Sequence, residues 1–164
     1  MTKEKISEFK LRITESNRTQ LIVVLYEIYF SYINDALDFL KNMTEERTKE
    51  QTDDYVKSIR MASMVLRHLK EDLDFSYEIS RELYSLYDFC ERKLAKAGYL
   101  FSKENLEETL SVMKPLYESF QEVAKEDTSS PMMQHTQKIS AGYTYGRHDV
   151  TESVAMESNR GFFA

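Results

Sequence analysis

Three histidines, one cysteine and 28 carboxylates are the side chains in this sequence equipped to bind a metal or move a proton. A di-iron or di-manganese helical bundle needs Glu-x-x-His pairs, which set two ligands one turn apart on a helix face. Three positions before His68, His135 and His148 stand Val65, Met132 and Tyr145, so that pairing is missing. The spacings of zinc sites and haem attachment are missing too, since Cys90 is the only cysteine. Cys90 falls on an apolar helical stripe, where a thiol packs as a small hydrophobe. His68 reads as a boundary residue, and Glu45-Glu46 and Glu107-Glu108 as solvated faces. No Gly-rich loop follows a strand. These residues predict no catalytic constellation, no metal site, no cofactor and no enzyme.

Aromatic surface is what the chain holds in excess: 11 Tyr and 9 Phe, with no Trp. Tyrosine joins a large apolar body to a polar tip, which suits contacts that are buried when bound and wet when free.

These side chains need helices to position them. From Gln20 to Lys41 one apolar stripe runs through Ile22, Leu25, Tyr26, Tyr29, Ile33, Ala36, Leu37 and Leu40 at helical spacing. A second runs Leu21, Val24, Ile28, Tyr32 and Phe39, and an ordinary surface helix has one. Glu27, Asn34, Asp35 and Asp38 interrupt it, so it is no membrane span. Asn17 with Gln20 forms a capping-box pattern at its start. The charged stretch 43–53 reads as a loop. A second long helix is expected over 54–73, with Val56, Ile59, Ala62, Leu66, Leu69 and Leu73 inward. A third is expected over 77–97, capped by Asp74 or Ser76, with Ile79, Leu83, Leu86, Cys90, Leu94 and Ala97 inward, Tyr77, Tyr84 and Tyr87 alongside, and Gly98 as its left-handed stop. A fourth is expected over 103–126, capped by Ser102 and kinked or broken near Lys114 by Pro115. Short connections make four such helices an antiparallel up-down bundle. The chain is therefore expected to be all-α. Residues 1–16 form an amphipathic arm with Ile6, Phe9 and Ile13 at helical spacing, 17–126 the four-helix bundle, and 127–164 a C-terminal tail that is flexible or docks through its aromatics.

Composition agrees. With 41% hydrophobic and 30% charged residues over 164 positions, one packed domain is feasible. Only 4 Gly and 2 Pro favour helix. A net charge of −6 argues against a nucleic-acid partner, because phosphate binding needs a basic surface. MTKEKISEFK has no apolar run after its charges, so no signal peptide is expected, and a lone cysteine suits a reducing cytosol.

Leu25-Tyr26-Glu27 in the first long helix, and Leu86-Tyr87-Asp88-Phe89 followed by Arg92-Lys93-Leu94-Ala95 in the third, carry a family pattern. In these elements and in helix order from about Asn17 to Glu126, the chain resembles the flagellar export chaperone family FliS. It keeps the family's capping logic at Asn17-Arg18-Thr19-Gln20 without the proline usual there. The resemblance implies a cytosolic bundle that binds the C-terminal segment of flagellin, prevents early polymerisation, and presents it to the flagellar type III export apparatus. It further implies contact with export-gate components, and a monomer or weak homodimer with no membrane insertion. The expected binding surface is the off-stripe set Leu21, Val24, Ile28 and Tyr32, with Tyr84 and Tyr87 of the third helix, and Phe9 and Ile13 of the arm. In the free protein the arm or the tail is expected to cover this groove. The competing expectation is a structural or regulatory bundle that self-associates through the same helix.

Overall fold

The computed structural model describes residues 1–43 and 48–133. Their regular structure is five helices with no strand: α1 Lys3–Glu15, α2 Arg18–Asn42, α3 Lys49–Glu71, α4 Ile79–Leu100 and α5 Lys103–Glu126. The segment 134–164, for which a flexible or docking tail is expected, lies outside the described residues, as does 44–47.

Most helix starts have a side-chain cause. Thr2 and Ser102 accept the backbone N–H of Lys5 and Asn105. Asn17 and Gln20 complete the expected capping box, Asn17 Oδ1 accepting from Gln20 N at 2.8 Å and Gln20 Oε1 from Asn17 N at 3.1 Å. Two donors that a helix start leaves unpaired are thereby satisfied.

Four local expectations are corrected. The loop expected to Asp53 ends earlier, because Thr48 and Gln51 form a second capping box and start α3 at Lys49. No apolar period marks this first turn because it faces solvent. Asp74 and Ser76 do not cap α4. Asp74 Oδ1 accepts from Ser76 N at 2.9 Å, a local turn, and α4 begins after Glu78 without a side-chain cap. Helix α4 also runs through Gly98 to Leu100 and is capped by Phe101, which takes the left-handed conformation (φ 53°). Its ring is stacked on Tyr55, with centroids 4.9 Å apart and planes at 21°, and this contact holds an unfavourable backbone. Of the kink or break expected at Pro115, the break is excluded, since Pro115 lies inside α5.

The long helices close a ring of contacts: α2 on α3 and α5, α3 on α4, α4 on α5. Among the described residues helix α1 packs on α2 alone. Tyr55 near the start of α3 donates to the carbonyl of Ala97 near the end of α4, at 2.8 Å, and Lys70 near the end of α3 pairs with Glu91. Thr19 at the start of α2 donates to Asp127, after the end of α5, at 2.6 Å. Inside lie Tyr26, Tyr29, Ile33 and Ala36 of α2 with Leu66, Leu94, Leu106 and Met113, all fully buried.

The inward stripes shift from those expected. Val56, Ile79 and Leu86 are 45%, 61% and 37% exposed. On α3 the buried row is Tyr55, Ile59, Ala62, Leu66 and Leu69, and on α4 it is Tyr87, Cys90, Leu94 and Ala97. Both rows keep alternating steps of three and four; they start on the tyrosine beside the expected aliphatic residue. The two tyrosines are drawn in because their hydroxyls find partners there, which removes the cost of burying a polar group.

Candidate functional site

The outer face of α2, under α1, gathers most of the expected surface. Helix α1 holds one buried residue, Phe9 at 6% exposed, and α2 is the element it packs against. Val23 and Val24 of α2 are buried as well, yet these three stand apart from the main core. They form a second, thin apolar layer. Ile13, Leu21, Ile28 and Tyr32 are half-buried, and burial raises the Tyr32 phenol pKa above its ordinary value. Alongside Tyr32, the first residues of α1, the end of α2 and the start of α3 leave a cleft of about 520 Å³, whose rim carries Asp35, Asp38 and Asp54.

Polar contacts fix α1 in register on this face. Arg12 donates to Glu27 Oε2. Glu27 Oε1 accepts from the Tyr117 hydroxyl at 3.1 Å, which in turn accepts from Gln121 Nε2 at 2.7 Å. One carboxylate thus links α1, α2 and α5. The hydrogen bond to Glu27 is the main reason the Arg12 guanidinium pKa is raised, and burial followed by the Glu27 charge raises the Tyr117 phenol. At the other end of α1 the chain's amino group pairs with Asp35. These two contacts show α1 lying antiparallel along α2, from Asp35 back to Glu27. Sequence reasoning did not single out this clasp. Its signal was Glu27, the sole carboxylate in the apolar first half of α2.

The expected surface is divided. Val24 is 2% exposed, beside the small cavity that Arg12 of α1 also lines. Tyr87 is 1% exposed and turned inward: its hydroxyl meets that of Tyr26 at 2.7 Å across the core, and burial raises both phenols, that of Tyr26 far above its ordinary range. Tyr84, nearly one turn earlier on the neighbouring strip of α4, is exposed beside Phe75. Helices α2 and α4 do not run side by side and meet across the core through Tyr26 and Tyr87, so Tyr84, on the outside of α4, shares no surface with Leu21, Ile28 and Tyr32. The expectation that Tyr84 and Tyr87 line one wall with α2 is corrected for this reason: a residue three positions on lies on the adjacent strip of the helix, and here that strip points into the core.

Reactive chemistry finds little support among the described residues. Cys90 is buried, and burial pushes its thiol up to about 12, so it is protonated at neutral pH and a poor nucleophile. His68 is exposed, 3.5 Å from Glu71. No group of three His, Cys, Asp or Glu residues is placed to hold a metal among the described residues. No described helix is long and apolar enough to cross a membrane. The Tyr29 hydroxyl is buried without a hydrogen bond of normal geometry, although Thr109 lies near enough to influence it.

A family model described as flagellar protein FliS matches residues 4–127, which spans the five helices but for the first residue of α1. Comparison with curated proteins gave no match.

Proposed function

This chain belongs to the FliS family of flagellar proteins, and on that premise we propose that it is a flagellar export chaperone that binds the C-terminal segment of flagellin. It works in the cytosol, keeps that segment from polymerising early, and passes it to the type III export apparatus, where gate components are further partners. The bundle is an antiparallel up-down one over 17–126 with 1–16 as its arm, a reading supported by contacts that join helix starts to helix ends.

The observation that carries the reading is the thin layer under α1. Leu21, Ile28 and Tyr32 form a half-buried row on α2, with Ile28 and Tyr32 at the margin of the main core, and a 13-residue helix with one buried side chain packs on the same helix. A disordered amphipathic segment can fold as a helix into such a groove once α1 is displaced. Its ordering costs about 2–5 kcal/mol of the gross interaction, so a long apolar face is required, and α2 supplies 25 residues of helix. Phe9 and Ile13 then either leave the groove with α1 or re-pack beside the ligand.

Calorimetric titration with a flagellin C-terminal peptide tests the proposal. The expected result is one-to-one binding with a negative heat-capacity change, as apolar burial requires. Ile28→Asp is expected to weaken it by at least about tenfold, since a buried, unpaired carboxylate costs several kcal/mol. Absence of heat and of any heat-capacity change would refute the chaperone reading. A stable homodimer by light scattering that excludes the peptide would favour self-association instead.

A further inference from the structure

A second apolar surface lies away from the α1 face. Phe75, Tyr77 and Ile79, where α3 turns into α4, are 53%, 64% and 61% exposed, and Tyr84 is 43% exposed. The rings of Phe75 and Tyr84 are 5.9 Å apart, and Lys70 Nζ sits 5.4 Å from the Tyr84 ring centre. An exposed aromatic group of this kind usually marks an interaction site. Its surroundings are acidic: Glu71, Asp72, Asp74, Glu78 and Glu82 stand against Arg81 within twelve positions.

The chain's own continuation leaves from the same end of the bundle. Asn17, at the start of α2, donates to the carbonyls of Asp127 and Ser129, and Met132 N donates to the Ser16 carbonyl at 3.1 Å. The Asp74 carboxyl is held below its ordinary value chiefly by hydrogen bonds from Ser76 and, to a lesser extent, by the charge of Arg18, next to that junction. Neighbouring helices stand about 8–10 Å apart, whereas ten residues of extended chain span up to about 35 Å. Tyr143 and Tyr145, ten and twelve residues beyond Met133, are within reach of the patch. Residues 134–148 also carry Lys138, Arg147 and two histidines with no carboxylate, the charge complement of the turn.

We propose that the chain's own segment 134–148 docks on this patch, laying Tyr143 and Tyr145 against Phe75, Tyr77, Ile79 and Tyr84, with Lys138 and Arg147 over the acidic turn. A second copy is disfavoured as the occupant, because pairing the patch with itself sets five carboxylates against five. The surface is separate from the α1 face, so the docking stands or falls independently of flagellin binding.

Hydrogen exchange of backbone amides 72–80 in the full chain is the test, read across a dilution series. The variant Tyr143→Ser/Tyr145→Ser leaves every described residue unchanged, so the bundle's folding is not at issue. Exchange at 72–80 is expected to be about threefold or more faster in it at every concentration, as the open population grows. Glu78→Lys/Glu82→Lys is expected to speed exchange likewise, and adding Lys138→Glu/Arg147→Glu to restore it. Equal rates in the wild-type and tyrosine-variant chains would overturn the proposal. Protection that rises with protein concentration would overturn it in favour of a second copy.

Discussion

Phe9→Ala separates a removable cover from a structural helix. Helix α1 has 13 residues, at the length where an isolated helix is marginal in water, about 12–15 residues, so tertiary contacts must hold it. Those contacts are few. Burying a phenylalanine ring contributes about 1.5–3 kcal/mol. The Arg12–Glu27 pair, with side chains 38% and 24% exposed, adds about 1 kcal/mol or less after solvent screening. Losing the ring therefore removes most of what keeps α1 docked and lowers its docked-to-free ratio about 10- to 150-fold, at 1.4 kcal/mol per factor of ten. If flagellin must displace α1, its apparent affinity is reduced by the docking constant, and the variant binds the peptide about tenfold or more tightly. The melting temperature should barely move, because the main core does not include Phe9. Paired calorimetric titrations of wild type and variant, with thermal melts by circular dichroism, make the measurement. Unchanged or weaker binding would refute the cover. A large fall in melting temperature, reflecting the 3–5 kcal/mol typical of a core Phe→Ala, would show that α1 belongs to the cooperative unit.

Three further outcomes follow from the fold. Gly98→Ala is expected to stabilise by about 0.5–1 kcal/mol in urea unfolding, since the residue is helical and its new Cβ would meet Ile59 Cγ2 at an ordinary 3.4 Å; destabilisation would show that the α3–α4 approach is tighter than this. Phe101→Gly relieves about 1–2 kcal/mol of left-handed strain but loses a partly buried ring worth about 1.5–3 kcal/mol plus its stacking on Tyr55, so a net loss of about 1 kcal/mol is expected from the same urea measurement, and a gain would refute the pinning role of the stack. Cys90 is expected to resist iodoacetamide at pH 8 in the folded chain, as followed by mass spectrometry, and to react as readily as a free thiol once the chain is unfolded. Its folded pKa of about 12 lies above the ordinary 9.0, so stability is full below about pH 9 and falls as pH rises toward 12, where the unfolded chain releases a proton that the folded one retains; equal reactivity in the two states would refute the burial argument.

The sequence by itself determined the helical class, the capping box at Asn17, the Ser102 start of α5 and the family pattern in α2 and α4, because these are written within one or two turns of chain. It placed Phe9 on an amphipathic arm able to lie on the bundle, because Ile6, Phe9 and Ile13 recur at helical spacing. It could not assign Val24, Tyr84 and Tyr87. A shift of one position along a helix turns a side chain by about 100°, and which strip faces the core depends on neighbours distant in sequence. Tyr87 faces inward because Tyr26, 61 residues earlier, offers its hydroxyl a partner, while Tyr84 faces outward beside Phe75. Likewise only the tertiary structure decided that α4 passes through Gly98 and stops at Phe101. A glycine is free to end a helix, but the ring of Tyr55 stabilises the left-handed stop three residues further on.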